Sequence, residues 1–295
     1  MRVFWFLRKR NRDRIYNEWF SSAKDGPLSP KPLFELFLFS MAVFVFSALL
    51  MQFLLTLQTA LLLKIYSISF TYRLFAIGSS MVSPWPETRI ILVFGFGVLV
   101  FFGVGIWLAK SLKNPGPIKW KARLVLTWMA FLMVQTFPLS LLAGIIFYDG
   151  FGIAYQWMFN SIFVRAAIGF VALLVIMIMR PFWLNLFLKT AYSSTFLTDY
   201  KNSKLLIKIS VILPWIAGVL ILLPFVYLHH AWFWLVYLCG IGFVVLPFFG
   251  NNIPPRNFLI TKSDKTIFNI RYPLPVLLAV LAFLLVADYM IKINF

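Results

Sequence analysis

The sequence holds one cysteine, Cys239, and two histidines, His229 and His230, side by side. One cysteine excludes an intramolecular disulfide and any metal cluster built on cysteine pairs. Its place inside an apolar stretch predicts a buried thiol that acts as a small hydrophobe. The histidines leave no H-E-x-x-H zinc motif and no axial pairs for two haems, although one haem stays open. Charge is also scarce: 12% of residues are charged and nine are acidic. No two carboxylates share an apolar stretch, which argues against aspartyl intramembrane proteases and Asp-rich prenyl transferases. No G-x-S-x-G elbow and no Walker A loop occur. The expectation is therefore no cofactor, no metal and no enzyme of these classes.

Apolar residues fill the space that charge leaves. They make up 62% of the chain, aromatics 19%, and mean hydropathy is +0.89. Soluble domains are roughly half apolar and a quarter charged. A chain this apolar needs lipid to cover it. Seven apolar stretches are long enough to cross a bilayer, near 36–62, 90–109, 124–147, 162–183, 209–228, 231–249 and 274–291. The fold class expected is all-α: a polytopic integral membrane protein of about seven transmembrane helices, without a large soluble domain. Residues 1–32 form a basic cytoplasmic segment, read as an interfacial helix on an anionic leaflet. Residues 33–295 form the transmembrane bundle.

The net charge of +18 would suggest nucleic acid in a soluble protein. Here it alternates between loops. The N-terminal segment carries eight Lys and Arg, the 110–123 loop five, Arg180 to Lys208 five and the 250–271 loop four, 22 of the 27 in the chain. That is the positive-inside pattern. It places the N-terminus in the cytoplasm and the C-terminus outside, in a bacterial-type cytoplasmic (inner) membrane, to which richness in Phe, Lys, Asn and Ile also points. The expected partners are membrane lipids, with anionic headgroups at the cytoplasmic face, and other membrane subunits, not nucleic acid. Val3 to Leu7 is too short for a cleavable signal, so the span starting near Leu33 is expected to act as an uncleaved anchor.

Polar residues inside spans are costly there and therefore informative. Gln52, Thr56 and Thr59 fall on one face of the first helix. Gln135 and Thr136 precede Pro138, which frees a carbonyl about four residues upstream. Such broken polar helices form substrate sites in transporters, and they also serve as plain interhelical contacts. A second set lies on the outer side of the threading: Arg165 with Asp288, Asp149, His229 and His230, suited to an anionic headgroup or a proton-linked step. Arg165 and Arg180 also bracket a short apolar stretch, and both can snorkel to opposite surfaces. Gly95, Gly97, Gly103 and Gly105 permit close helix contact. Tyr148 to Asn160 reads as an outer loop.

Three functions remain open. The first is a non-enzymatic subunit or accessory protein of an inner-membrane assembly. The second is a transporter or lipid-handling protein that uses Gln52, Thr56, Gln135, Thr136 and Pro138. The third is a lipid-modifying enzyme that uses the Arg165 set.

Overall fold

A computed structural model describes residues 30–68, 70–72, 77–79, 86–113, 118–148, 150–191, 195–198, 200–228, 237–246 and 293–294. Most of these residues are helical, and three short strands form one small sheet. Helix α1 covers Pro30–Ile65, then strands β1 (Phe70–Tyr72) and β2 (Ile77–Ser79) form a hairpin. Helices α2 (Glu87–Lys113), α3 (Trp120–Ala143), α4 (Phe151–Met158) and α5 (Ile162–Leu188) follow. After the short helices α6 (Thr195–Thr198) and α7 (Tyr200–Ile207) come a π-helical segment, Lys208–Ile212, and helix α8 (Leu213–Leu228). A last helical turn, α9, is Gly242–Val245, and strand β3 is Ile293–Asn294.

Among the described residues five helices are long and apolar enough to cross a membrane: Leu33–Ile65, Thr88–Lys113, Trp120–Ala143, Ile162–Leu188 and Lys201–Pro224. They coincide with the first five apolar stretches. Of the other two, 231–249 is described only over residues 237–246, and 274–291 lies outside the described residues. Segment 1–29 lies outside them too. Helix α1 has 36 residues, about 54 Å at the α-helical rise, longer than one crossing needs. Pro30 and Pro32 sit in its first turn, where no backbone N–H has a helical acceptor, so they start the helix and do not break it.

Two expectations are corrected. The segment read as an outer loop holds helix α4, and Phe151, Gly152, Ile153, Ala154 and Tyr155 in it are all buried. The apolar positions 151, 154 and 155 share a helical face, and that face packs against α2 and α3. Cys239, expected to be buried, is exposed.

Glycines set how closely the helices approach. A Cβ at Gly105 would lie 2.7 Å from Met133 Cβ and 2.9 Å from the Val134 amide nitrogen, so α2 and α3 meet backbone to backbone there. Gly97 leaves the same room for Gln58 of α1, whereas Gly103 faces open space.

The bundle turns on Trp128, which is fully buried in α3. Its ring makes edge contacts with Phe44 of α1 and Phe187 of α5, each at 5.0 Å between centroids. Phe131 stands 5.8 Å away. Such aromatic pairs contribute about 0.5–1.5 kcal/mol each beyond the area they bury. The indole Nε1–H donates to Ser40 Oγ of α1 at 2.9 Å. Ser40 Oγ–H donates in turn to the Ser210 carbonyl. In α-helical register that carbonyl would face Pro214, four residues on, which has no N–H to give it. Around the proline the helix widens into the π-helical segment, with the Leu213 N–H bonded to the Lys208 carbonyl. One hydroxyl thus ties α1 to α3 and to the segment leading into α8.

Replacing Ser40 with Ala orphans a buried indole donor and removes the hydroxyl bond to a buried carbonyl. The expected cost is about 1–3 kcal/mol, measured as a lower melting temperature of the chain in detergent.

Candidate functional site

The threonines of the first polar set bond to their own helices. Thr56 Oγ1 donates to the Gln52 carbonyl at 2.7 Å, and Thr59 Oγ1 to the Leu55 carbonyl at 2.9 Å. Both are back-bonds of the kind apolar helices use for hydroxyls. Gln52 is half-buried on the same helix.

On α3, Thr136 Oγ1 lies 2.9 Å from the Leu132 carbonyl and 3.2 Å from Met51 Sδ of α1. The Tyr237 hydroxyl donates to the same Leu132 carbonyl at 2.8 Å. Thr136 therefore joins α3 to α1, and the Leu132 carbonyl joins it to the segment carrying Tyr237. Pro138 is buried and lies within the continuous helix α3. Gln135 differs from its neighbours. It is fully buried, and neither its amide oxygen nor its amide nitrogen has a hydrogen-bond partner among the described residues. A small cleft between α1 and α3 is lined by Ser47, Leu50, Met51, Leu54, Met129 and Met133. Met51 belongs both to this cleft and to the Thr136 contact.

Of the second set, only Arg165 lies within the described residues. Asp149, His229, His230 and Asp288 lie outside them. Arg165 is in the first turn of α5, and its Nε is buried without a partner among the described residues. The Arg165 carbonyl accepts a hydrogen bond from the Tyr155 hydroxyl of α4 at 2.8 Å. Burial pushes the Tyr155 phenol above its ordinary pKa, and the Arg165 charge pulls it back. Gln156 Nε2 lies 3.2 Å from both the Gly144 and Phe147 carbonyls, which fixes α4 to the end of α3.

A third constellation lies at the opposite end of the bundle. Arg123, in the first turn of α3, is 2% exposed, and its Nε and Nη2 have no hydrogen-bond partner among the described residues. Lys189 caps α5, and its ammonium donates to the Lys113 carbonyl, the last of α2, at 2.6 Å. Burial pulls Lys189 below its ordinary pKa, and the charges of Arg123 and Lys113 act in the same direction. By sequence these three belong to the topogenic loop charges. Burial depth, which the charge pattern does not carry, is what sets Arg123 apart.

No family model, curated protein or solved structure matches the chain.

The unpaired amide of Gln135 predicts the sign of a substitution. A leucine there removes a buried polar group that lacks partners among the described residues, so Gln135→Leu is expected to raise stability by about 1–3 kcal/mol. Thermal unfolding in detergent reads this directly.

Proposed function

We propose that the chain is a seven-span integral protein of a bacterial-type inner membrane and a non-enzymatic subunit or accessory protein of a membrane assembly. The observation that carries this reading is the surface of α5. In its apolar window 17% of residues are buried, against 72% for α3. Phe163, Phe170, Leu174 and Ile178 are exposed along it, with the small exposed residues Ala166 and Ala167 between them. Large and small side chains alternating on one face suit docking against another transmembrane helix.

Two observations support the span count and orientation. Lys110, Lys113, Lys119, Lys121, Arg123, Arg180, Lys189, Lys201, Lys204 and Lys208 lie toward one end of the described helices, and Lys64, Arg89 and Arg165 toward the other. The second is a matter of parity. Ser40 meets Ser210 and Phe44 meets Gly218, so α1 and α8 run parallel. Strand β3 pairs with β1, Thr71 opposite Asn294 and Tyr72 opposite Ile293. Helix α8 and the last strand thus both reach the end of the bundle where α1 finishes. An even number of crossings between them fits that geometry, and the sequence predicts two.

The unpaired Gln135 favours a second reading, a transporter or lipid-handling protein with a polar site in mid-membrane. A loss of stability in Gln135→Leu, opposite in sign to the gain expected above, would favour it.

Cysteines placed one at a time in a Cys239→Ser chain test the topology. Lys64→Cys and Lys292→Cys are expected to react with a membrane-impermeant maleimide on intact spheroplasts, and Lys121→Cys only after lysis. Labelling at Lys121→Cys from outside refutes the orientation. Assembly is tested by affinity purification in mild detergent followed by native electrophoresis. A complex with other membrane proteins, dispersed by Ala167→Trp, is the expected result. Migration as a lone chain with lipid overturns the subunit reading.

A further inference from the structure

Three helix ends meet at the basic end of the bundle. Helix α2 stops at Lys113, α5 ends at Leu188 with Lys189 as its cap, and α3 begins at Trp120 with Arg123 in its first turn. The Lys189 ammonium lies against the C-terminus of α2 through its bond to the Lys113 carbonyl, where a helix dipole favours a cation. Among the described residues no comparable bond holds Arg123 Nε or Nη2. A guanidinium that is 2% exposed is costly to bury unless its donors are satisfied, and two of its three nitrogens have no partner among the described residues. Glu35 is buried in the first turns of α1, yet it accepts from neither of these nitrogens.

The two unpartnered nitrogens are Nε and Nη2. They lie on the same edge of the guanidinium and present two parallel N–H bonds. That fork matches two oxygens of one tetrahedral or planar oxyanion. The first turn of α3 carries no acidic residue, and Lys119 at its N-cap makes no side-chain cap bond. The positive end of the α3 dipole therefore adds to the same field. Three cations and a helix N-terminus favour the more highly charged, four-oxygen anion over a carboxylate.

We propose that Arg123, with Lys189 and Lys113 beside it, forms a binding site for a phosphate group. Arg123 holds two of the oxygens through Nε and Nη2, and the lysines balance the remaining charge. A phospholipid headgroup and free inorganic phosphate offer the same chemistry. The site depends on the packing of α2, α3 and α5, so it stands whether or not the chain joins an assembly.

The test uses the full chain, delipidated in a non-ionic detergent at fixed ionic strength. Inorganic phosphate or short-chain phosphatidylglycerol is titrated in, and thermal unfolding is followed. A rise in melting temperature with phosphatidylglycerol alone identifies a lipid headgroup; a rise with both shows that free phosphate suffices. Arg123→Met removes the fork while keeping an apolar stem of similar reach. It is expected to weaken the apparent affinity by about tenfold or more and to leave the ligand-free chain no less stable. Lys189→Gln, which keeps Arg123 in place, is expected to weaken it less. No rise with either ligand overturns the proposal. An unchanged titration in Arg123→Met does so too. If Arg123→Met does not fold, an unchanged titration in Lys189→Gln is decisive.

Discussion

A helix surrounded by apolar groups has to satisfy its own backbone, and a proline inside it leaves one carbonyl without its helical donor. In this bundle that constraint is met across helices at Ser210. Its carbonyl loses the donor that Pro214 lacks, and the chain meets the need with a hydroxyl from a helix far away in sequence. Because Ser40 also accepts from Trp128, satisfying one carbonyl fixes three helices relative to one another. The aromatic contacts around Trp128 then have one arrangement to fill, and Phe44, Phe131 and Phe187 pack edge-on into it. A polar requirement sets the register, and apolar side chains occupy the space it defines.

Close backbone approach provides the second organising element. Apolar burial does not distinguish a helix neighbour from lipid, so association between helices rests on packing and hydrogen bonds. The contact at Gly105 brings α2 onto the backbone of α3. It also helps place the end of α2 beside the end of α5, where Lys113 and Lys189 touch. Contacts at mid-height thus position the charges at the end of the bundle.

Much of this architecture was legible in the sequence. The first five apolar stretches became the five long helices because continuous apolar runs of that length have few other folded forms. Of the four glycines in α2, Gly97 and Gly105 proved to be contact positions; which of the four would do so depended on helix rotation, and periodicity alone did not settle it. Helix α4 was missed because eight residues after Asp149-Gly150 look like a loop. Pro214 was visible, but the answering hydroxyl at Ser40 was not, since nothing local links the two. The candidate polar residues divide in the same way. Thr136 and Thr56 make bonds that their spacing allowed, whereas Gln135 and Arg123 stand out only once their burial, and side-chain nitrogens or oxygens without partners among the described residues, are known. A charge pattern reports the side of a membrane and says nothing of depth.

The small sheet makes the order of events matter. Strand β3 adds to the edge of β1 that β2 leaves open, giving the order β2-β1-β3. During synthesis β1 emerges right after α1, and β3 only after everything between them. Until then one edge of β1 has its backbone groups unpaired, open to water or to any other strand. The last strand works as a latch: its pairing with β1 closes the exposed edge and ties residues 293–294 to the segment that follows α1, far back in the chain.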